Sequence, residues 1–130
     1  MAKGSYRSLR VWQFGMDLAR DVYMLTRSFP RNETYGLSSQ VRRAAVSVPA
    51  NIAEGHARSS TKDFLRHIAI ALGSLAEVET LLILAQSISC ADRESFNGLL
   101  DRCAQEGRML TALQSKLRIR CRQHPPASDL

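Results

Sequence analysis

Five polar residues between positions 40 and 54 recur at the three- and four-residue spacing of one helix face. The set comprises Gln40, Arg43, Ser47, Asn51 and Glu54. Their amide, guanidinium, hydroxyl and carboxylate groups could line a groove or an inter-subunit channel and hold a ligand or a phosphate there. They could equally satisfy one another in an internal network, with Arg43 paired to Glu77 or Glu79 across a neighbouring helix. Such a network would fix helix register at little net gain in stability. Spacing alone leaves both interpretations open.

The histidines and carboxylates lack the spacing of a metal or catalytic site. A di-iron bundle needs Glu-x-x-His on each of two helices, and none of His56, His67 and His124 has Glu three residues before it. The sequence contains no glycine-rich phosphate loop. Spacing also assigns no serine, cysteine or histidine to a shared nucleophilic pocket. We therefore expect a protein that is not an enzyme and that holds no metal and no cofactor.

Basic residues are in excess and fall into two groups. The chain has 18 Lys and Arg against 12 Asp and Glu, a formal net charge of +6, which favours an acidic partner such as nucleic acid. The groups flank the first and last predicted helices and comprise Lys3, Arg7, Arg10, Arg108, Lys116, Arg118, Arg120 and Arg122. Both groups would lie at the same end of an up-down bundle and form a phosphate-binding patch. No aromatic residues alternate with these cations, so we expect sequence-independent contacts. The alternative is a solvated end whose charges complement a helix dipole.

Apolar residues recur at helical spacing along four segments, which predicts an all-α protein. The predicted helices cover about residues 9–29, 35–57, 61–87 and 92–120. Short connections between them predict an antiparallel up-down-up-down four-helix bundle. Ser8, Ser60 and Asp92 are the expected N-caps, Pro30 should end the first helix at Phe29, and Pro49 should kink or break the second.

These boundaries give one domain with a short extension. We assign residues 1–121 to the bundle and expect residues 122–130, which contain Pro125 and Pro126, to be a disordered tail.

The first and third helices carry apolar residues beyond those needed for one core-facing stripe. The additional residues are Trp12, Met16, Ala19 and Tyr23 on the first helix and Val78 and Leu81 on the third. A subunit interface would cover them, which predicts a homo-oligomer. The alternative is that a small bundle packs both sides of its inner helices.

The chain lacks signals for secretion or membrane insertion. Its basic N-terminal residues are not followed by a signal-type apolar segment, and no uninterrupted apolar run reaches about 18 residues. Three widely spaced cysteines without a Cys-x-x-Cys pair predict neither a disulfide framework nor a zinc site. We expect a cytoplasmic protein that does not associate with a membrane.

Three segments resemble one known family. They are residues 9–13, 35–55 and 68–80, and the most specific is the run Arg-Arg-Ala-Ala-Val-Ser-Val-Pro-Ala-Asn-Ile-Ala-Glu-Gly at 42–55. The chain resembles, over about residues 6–118, the bacterial four-helix bundle proteins associated with intervening sequences in 23S ribosomal RNA genes. Most members of that family have no established function, and the family supplies no catalytic residues.

The resemblance implies assembly into a homopentamer, a barrel with a central channel. It also implies kinship with the accessory variability determinant of diversity-generating retroelements, a basic pentamer that binds nucleic acid and a reverse transcriptase. The leading hypothesis is therefore a non-enzymatic homo-oligomer, a pentamer on this resemblance, that binds RNA or DNA through phosphate contacts. The alternative is a structural or protein-interaction scaffold with no nucleic-acid role, with a partner such as a reverse transcriptase.

Overall fold

A computed structural model describes residues 4–33, 36–88 and 90–124. The described residues form four helices, which we label in chain order α1 (Arg10–Thr26), α2 (Leu37–Ala57), α3 (Thr61–Ser87) and α4 (Arg93–Gln123). Each helix packs against the next, and α4 packs back against α1. The described part of the chain contains no strand. This arrangement confirms the all-α four-helix bundle.

The helix boundaries differ from the expected ones at the outer ends. The first helix begins at Arg10, after a separate 3₁₀ turn at Tyr6–Ser8, and ends at Thr26 rather than at Phe29. The backbone tightens there, because the N–H groups of Ser28 and Phe29 donate to carbonyls three residues back. The fourth helix continues to Gln123, with His124 as its C-cap, so part of the predicted tail is helical. Residues 125–130 of that tail lie outside the described residues.

Side-chain caps fix the starts of α3 and α4. Ser60 Oγ accepts the Asp63 N–H at 3.0 Å, and Asp92 Oδ1 accepts the Ser95 N–H at 2.9 Å, as predicted for the two N-caps. Ser8 does not cap α1, since the residue before that helix is Leu9 and it makes no side-chain cap bond. The second helix runs unbroken through Pro49, so the proline does not end it.

One apolar core runs along the bundle. Each helix contributes residues at three- and four-residue spacing, and completely enclosed examples are Leu18, Val22, Val48, Ile52, Ile68, Leu82, Phe96 and Leu110. Burial of each such side chain contributes roughly 1.5–3 kcal/mol. This continuous core holds the four helices together.

Part of the predicted oligomer interface belongs to this core. Ala19, Val78 and Leu81 are only 7%, 0% and 8% exposed in the single chain, so they offer little surface to another copy, although Ala19 still borders an exposed groove between α1 and α2. The reason is that α3 packs against both α2 and α4 and therefore needs apolar residues on two sides. Met16 and Tyr23 are exposed and Trp12 is half-buried, so these three stay available to a partner.

Among the described residues, the third helix alone is long and apolar enough to cross a membrane by length and composition. Polar residues interrupt the apolar positions of α3, so the absence of an uninterrupted apolar run did not reveal it. The inner helix of a bundle passes the same test, and α3 packs against two neighbours here.

Candidate nucleic-acid interface

Three parts of the chain that are distant in sequence meet at one end of the bundle. They surround a cavity of about 420 Å³, to which Leu9, Ser59 and Arg120 all contribute. The start of α1, the connection between α2 and α3 and the last turns of α4 therefore lie together. We define the basic end as residues 4–17, 50–68 and 116–124, which are about two turns of each helix at this end and the segments beside them.

The whole formal positive excess of the chain, with every Asp and Glu counted as ionised, lies in the basic end. Its described residues include nine Lys and Arg against three carboxylates, whereas the remaining described residues include eight of each. The two charged residues outside the described part, Lys3 and Asp129, cancel each other formally. A field of one sign is thus concentrated at one pole of the bundle, which is the pattern that attracts polyanions.

Most of the predicted basic residues lie at this pole. Arg7, Arg10, Lys116, Arg118, Arg120 and Arg122 are all exposed there. The segment that carries Arg7 is held in place, since Gln13 Nε2 donates to the Arg7 carbonyl at 2.8 Å. The Arg7 guanidinium lies 5.9 Å from the centre of the Tyr6 ring. Lys3 lies outside the described residues.

The structure removes one residue from the predicted patch and adds three. Arg108 lies 12 residues before Arg120 in α4, about 18 Å along the helix axis, and its Nη2 donates to Gln105 Oε1 at 2.6 Å. Arg58, Lys62 and Arg66 belong to the basic end instead. The antiparallel topology was the signal that would have found them, because it brings the α2–α3 connection to the start of α1.

The polar stripe of α2 divides into two parts. Gln40 and Arg43 are exposed, and no ion pair between Arg43 and Glu77 or Glu79 exists among the described residues. Ser47 and Asn51 are half-buried and face α3. The neighbouring Arg42 makes the contacts instead, with its Nε donating to Thr26 Oγ1 at 2.7 Å.

Ser47 and Asn51 form a network with two residues of α3. The hydroxyls of Ser47 and Ser74 lie 2.8 Å apart, and Asn51 Nδ2 donates to the Ser47 carbonyl at 2.8 Å. This bond directs Asn51 Oδ1 towards His67 Nδ1, 3.0 Å away, so Nδ1 is the protonated nitrogen in the neutral ring. The sequence analysis did not assign His67 to the network.

The outer edge of the network reaches solvent. Glu54 Oε2 lies 4.0 Å from His67 Nδ1, and Glu54 Oε1 accepts a hydrogen bond from Arg58 Nη2 at 3.1 Å. At Gly55 a Cβ would lie 2.6 Å from His67 Cβ, so glycine allows α2 to approach His67 closely. The network links α2 to α3, and Arg58 at its outer edge belongs to the basic end.

Glu106 is a buried polar residue that the sequence analysis missed. It is 0% exposed, and neither carboxyl oxygen has a hydrogen-bond partner. Gly15 accommodates the carboxyl group, since a Cβ there would lie 2.7 Å from Glu106 Oε2. Burial raises the pKa of Glu106 from its ordinary value of 4.5 to about 8, so the group is mainly protonated at neutral pH. Glu106 lies three residues after Cys103 and four before Leu110, both in the apolar stripe of α4, and this helical spacing could have indicated that it is buried.

Comparisons with known proteins identify a family and a similar structure. Residues 7–112 match the family described as 23S rRNA-intervening sequence protein. A crystal structure of a protein with unknown function from the S23 ribosomal protein family of Bacteroides thetaiotaomicron is similar, with 25% sequence identity and a TM-score of 0.73. The alignment covers 80% of this chain and 97% of that chain. The comparison with curated proteins finds no match.

Proposed function

Because the chain belongs to the 23S rRNA-intervening sequence protein family, we propose that it is a non-enzymatic cytoplasmic homo-oligomer that binds RNA or DNA through phosphate contacts. The observation that carries the proposal is the concentration of the entire positive excess in the basic end. Phosphate contacts supply affinity without reading sequence, and exposed Lys and Arg side chains are suited to them. The binding is accordingly independent of sequence.

Assembly would multiply this charge. The homopentamer implied by the family resemblance places five copies of the basic end around one axis, if all subunits point the same way. A ring requires two different faces on each subunit, because each copy contacts its two neighbours through non-identical surfaces. The bundle has two exposed apolar surfaces that suit such a contact.

The first surface is a groove between α1 and α2 of about 380 Å³. Trp12, Met16 and Tyr23 of α1 and Val46 and Ala50 of α2 line it. Met16, Tyr23 and Val46 are more than 40% exposed. Exposed large apolar side chains that cluster in this way are typical of a contact surface.

The second surface lies on α3. Ile70, Ile83 and Leu84 are 41%, 56% and 50% exposed, and a Cβ at the intervening Gly73 would meet nothing within 4 Å. The α3 surface thus presents three exposed apolar side chains on a face that also carries exposed Glu77, and it has no side chain at position 73, so that the backbone of another helix can approach closely. We propose that the groove of one subunit receives the α3 surface of the next.

Salt-dependent filter binding to a structured RNA tests the nucleic-acid part of the proposal. The double variant Lys62→Gln/Arg66→Gln should weaken binding and lower the slope of log K against log salt by up to about 2. The matched control Arg27→Gln/Arg93→Gln removes two exposed arginines outside the basic end and should change neither quantity. Absence of binding at low salt, or equal effects of the two double variants, would contradict the proposal.

Light scattering tests the assembly. Met16→Asp places a charge in the groove and should shift the protein to smaller species, whereas Met24→Asp, on the same helix and 52% exposed, lies outside the groove and should not. Circular dichroism should show both variants to be helical. An unchanged mass for Met16→Asp would exclude the groove as a contact between copies.

The exposed groove also favours a second candidate function, a scaffold that binds another protein and no nucleic acid. The two functions predict different results for one measurement. A protein partner retained on the immobilised chain after nuclease treatment, together with no RNA binding at low salt, would favour the scaffold. A reverse transcriptase is one partner to test.

A further inference from the structure

The cavity of the basic end combines cationic, hydroxyl and apolar groups. Arg58 and Arg120 contribute guanidinium groups, Ser59 and Thr61 contribute hydroxyls, and Phe64 and Leu117 contribute buried apolar side chains. We propose that this cavity is a binding site for a nucleotide, which it holds by a terminal phosphate monoester. The inference rests on the proposed function in one respect, since it places a specific contact within the surface proposed to bind nucleic acid.

Charge distinguishes the cavity from the surface around it. Internal phosphodiesters carry one negative charge each and can contact isolated exposed cations such as Lys62 and Arg66. A phosphate monoester carries about −1.5 to −2 charges at neutral pH. Two guanidinium groups on one cavity match this larger charge, and each can donate two parallel N–H bonds to phosphate oxygens.

Both arginines are exposed to solvent at the cavity. Arg58 uses Nη2 to hold Glu54 Oε1 at 3.1 Å. Arg58 and Glu54 are both about half exposed, so water already competes with their pairing. Among the described residues, Arg120 has no ion-pair partner. Ser59 and Thr61 can add O–H donors to the same phosphate.

The apolar part of the cavity suits a base or a ribose. Phe64 is 7% exposed and Leu117 is 1% exposed, so they form the floor, with half-buried Leu9 and Leu113 beside them. A volume of about 420 Å³ lies within the range of about 300–1,000 Å³ that is typical of small-molecule sites. It can admit one nucleotide but not a duplex, which leaves a mononucleotide or the end of a single strand.

NMR titration of leucine methyl groups with adenosine 5′-monophosphate tests the site directly. We expect saturable shifts at Leu113 and Leu117 with the nucleotide and much weaker shifts with adenosine, which lacks the phosphate. Arg120→Gln should weaken nucleotide binding at least tenfold. The matched variant Arg118→Gln removes an exposed cation of the same helix end that does not line the cavity, and it should change binding less than twofold. Absence of saturable shifts, or equal weakening in both variants, would overturn the proposal.

A pocket-filling variant separates shape from charge. Leu113→Trp keeps every cation and should reduce nucleotide binding by blocking the cavity while leaving the affinity for a long structured RNA unchanged. Absence of RNA binding by the unsubstituted protein, with nucleotide binding present, would refute the proposed function alone, and RNA binding without nucleotide binding would refute the cavity site alone. The two proposals thus fail separately.

Oligonucleotides of one sequence identify the source of the phosphate. If the 5′-phosphorylated strand binds more tightly than the 5′-hydroxyl strand, and Arg120→Gln removes the difference, the ligand is a strand end. If the two strands bind equally while adenosine 5′-monophosphate still binds the cavity, the ligand is a free nucleotide. Either result supports the site, and equal binding of the strands without nucleotide binding overturns it.

Discussion

Polar side chains enter the helix interfaces of this bundle at two places, and the two differ in how the polar groups are satisfied. Between α2 and α3, Asn51 accepts or donates hydrogen bonds with His67 and Ser47 at 2.8–3.0 Å, and the edge of the network reaches solvent. In the seam of α4, Glu106 is completely buried, and its carboxyl oxygens have no partner. Polar groups packed between helices are thus hydrogen-bonded at one place in this small domain and unpaired at the other.

The difference has an energetic meaning. In the α2–α3 network every member makes at least one hydrogen bond, although His67 Nε2 has no partner, and the network fixes the register of two helices. A buried carboxyl without a partner instead keeps its proton, because ionisation would leave an unpaired charge in an apolar region. The α2–α3 network therefore contributes specificity, whereas Glu106 makes the stability of the bundle depend on pH.

The largest expected effect concerns Glu106. The folded state keeps the Glu106 proton up to about pH 8, whereas the unfolded state releases it near the ordinary pKa of 4.5. The free energy of unfolding should therefore fall as pH rises between these values, by at most about 5 kcal/mol, and level off above pH 8. Glu106→Gln should lack this component. The measurement is chemical denaturation of both proteins at several pH values, and the difference between their curves isolates Glu106. Parallel curves would show that the buried carboxyl does not titrate in this range.

Asn51 tests the satisfied side of the comparison. Asn51→Ala removes the hydrogen-bond partner of His67 Nδ1, and His67 Nε2 already has none. Leaving a second buried nitrogen unpaired should cost about 1–3 kcal/mol of unfolding free energy. Gln40→Ala, an exposed change on the same helix, is the control and should stay within about 0.5 kcal/mol. Equal unfolding free energies for Asn51→Ala and Gln40→Ala would show that the network does not stabilise the fold.

A double-mutant cycle of Gly15 and Glu106 measures how tightly the carboxyl is enclosed. With Glu106 present, Gly15→Ala forces a Cβ to within 2.7 Å of Oε2, which should destabilise by about 1 kcal/mol despite the better helix propensity of alanine. In the Glu106→Ala background the same change should stabilise by about 0.5–1 kcal/mol. Gly98→Ala, where a Cβ would meet nothing within 4 Å, should stabilise in both backgrounds. If the changes in unfolding free energy from the Gly15 and Glu106 substitutions were additive, the carboxyl would move away from the added Cβ at no cost.

Cysteine labelling gives the mildest test, since it leaves the sequence unchanged. Burial, followed by the Glu79 carboxylate, raises the pKa of Cys103 to about 12, and Cys103 is 0% exposed one turn before Glu106. A maleimide reagent at pH 7.5 should therefore modify the half-buried Cys121 before Cys103. Peptide mass spectrometry reads the order. Early modification of Cys103 would show that the α4 seam opens readily.

Local patterns predicted much of the fold. The bounds of α3 and the capping roles of Ser60 and Asp92 follow from hydrophobic periodicity and from N-cap chemistry, which act within a few residues. The predicted end of α1 was three residues too late, because Pro30 constrains Phe29 but does not require the helix to continue to it. Phe29 is buried without being helical, with its ring 6.0 Å from that of Phe96.

The candidate site was only partly predictable. Residues at the two ends of the chain were placed in one patch from topology, but Arg58, Lys62 and Arg66 were omitted and Arg108 was included. The polar stripe of α2 shows the same limit. Ser47 and Asn51 face α3, whereas Gln40 and Arg43 of the same stripe are exposed. A stripe on one helix does not reveal where the neighbouring helix begins and ends.

The sequence by itself determined the four helices, the caps of α3 and α4 and the net charge of +6, since each depends on spacing within one segment or on composition. The tertiary structure alone decided that the whole positive excess lies at one pole, that Asn51 meets His67, and that Glu106 is enclosed against Gly15. These features depend on the rotation and axial register of one helix against another. Packing of the complete core sets both quantities, and no single segment encodes them.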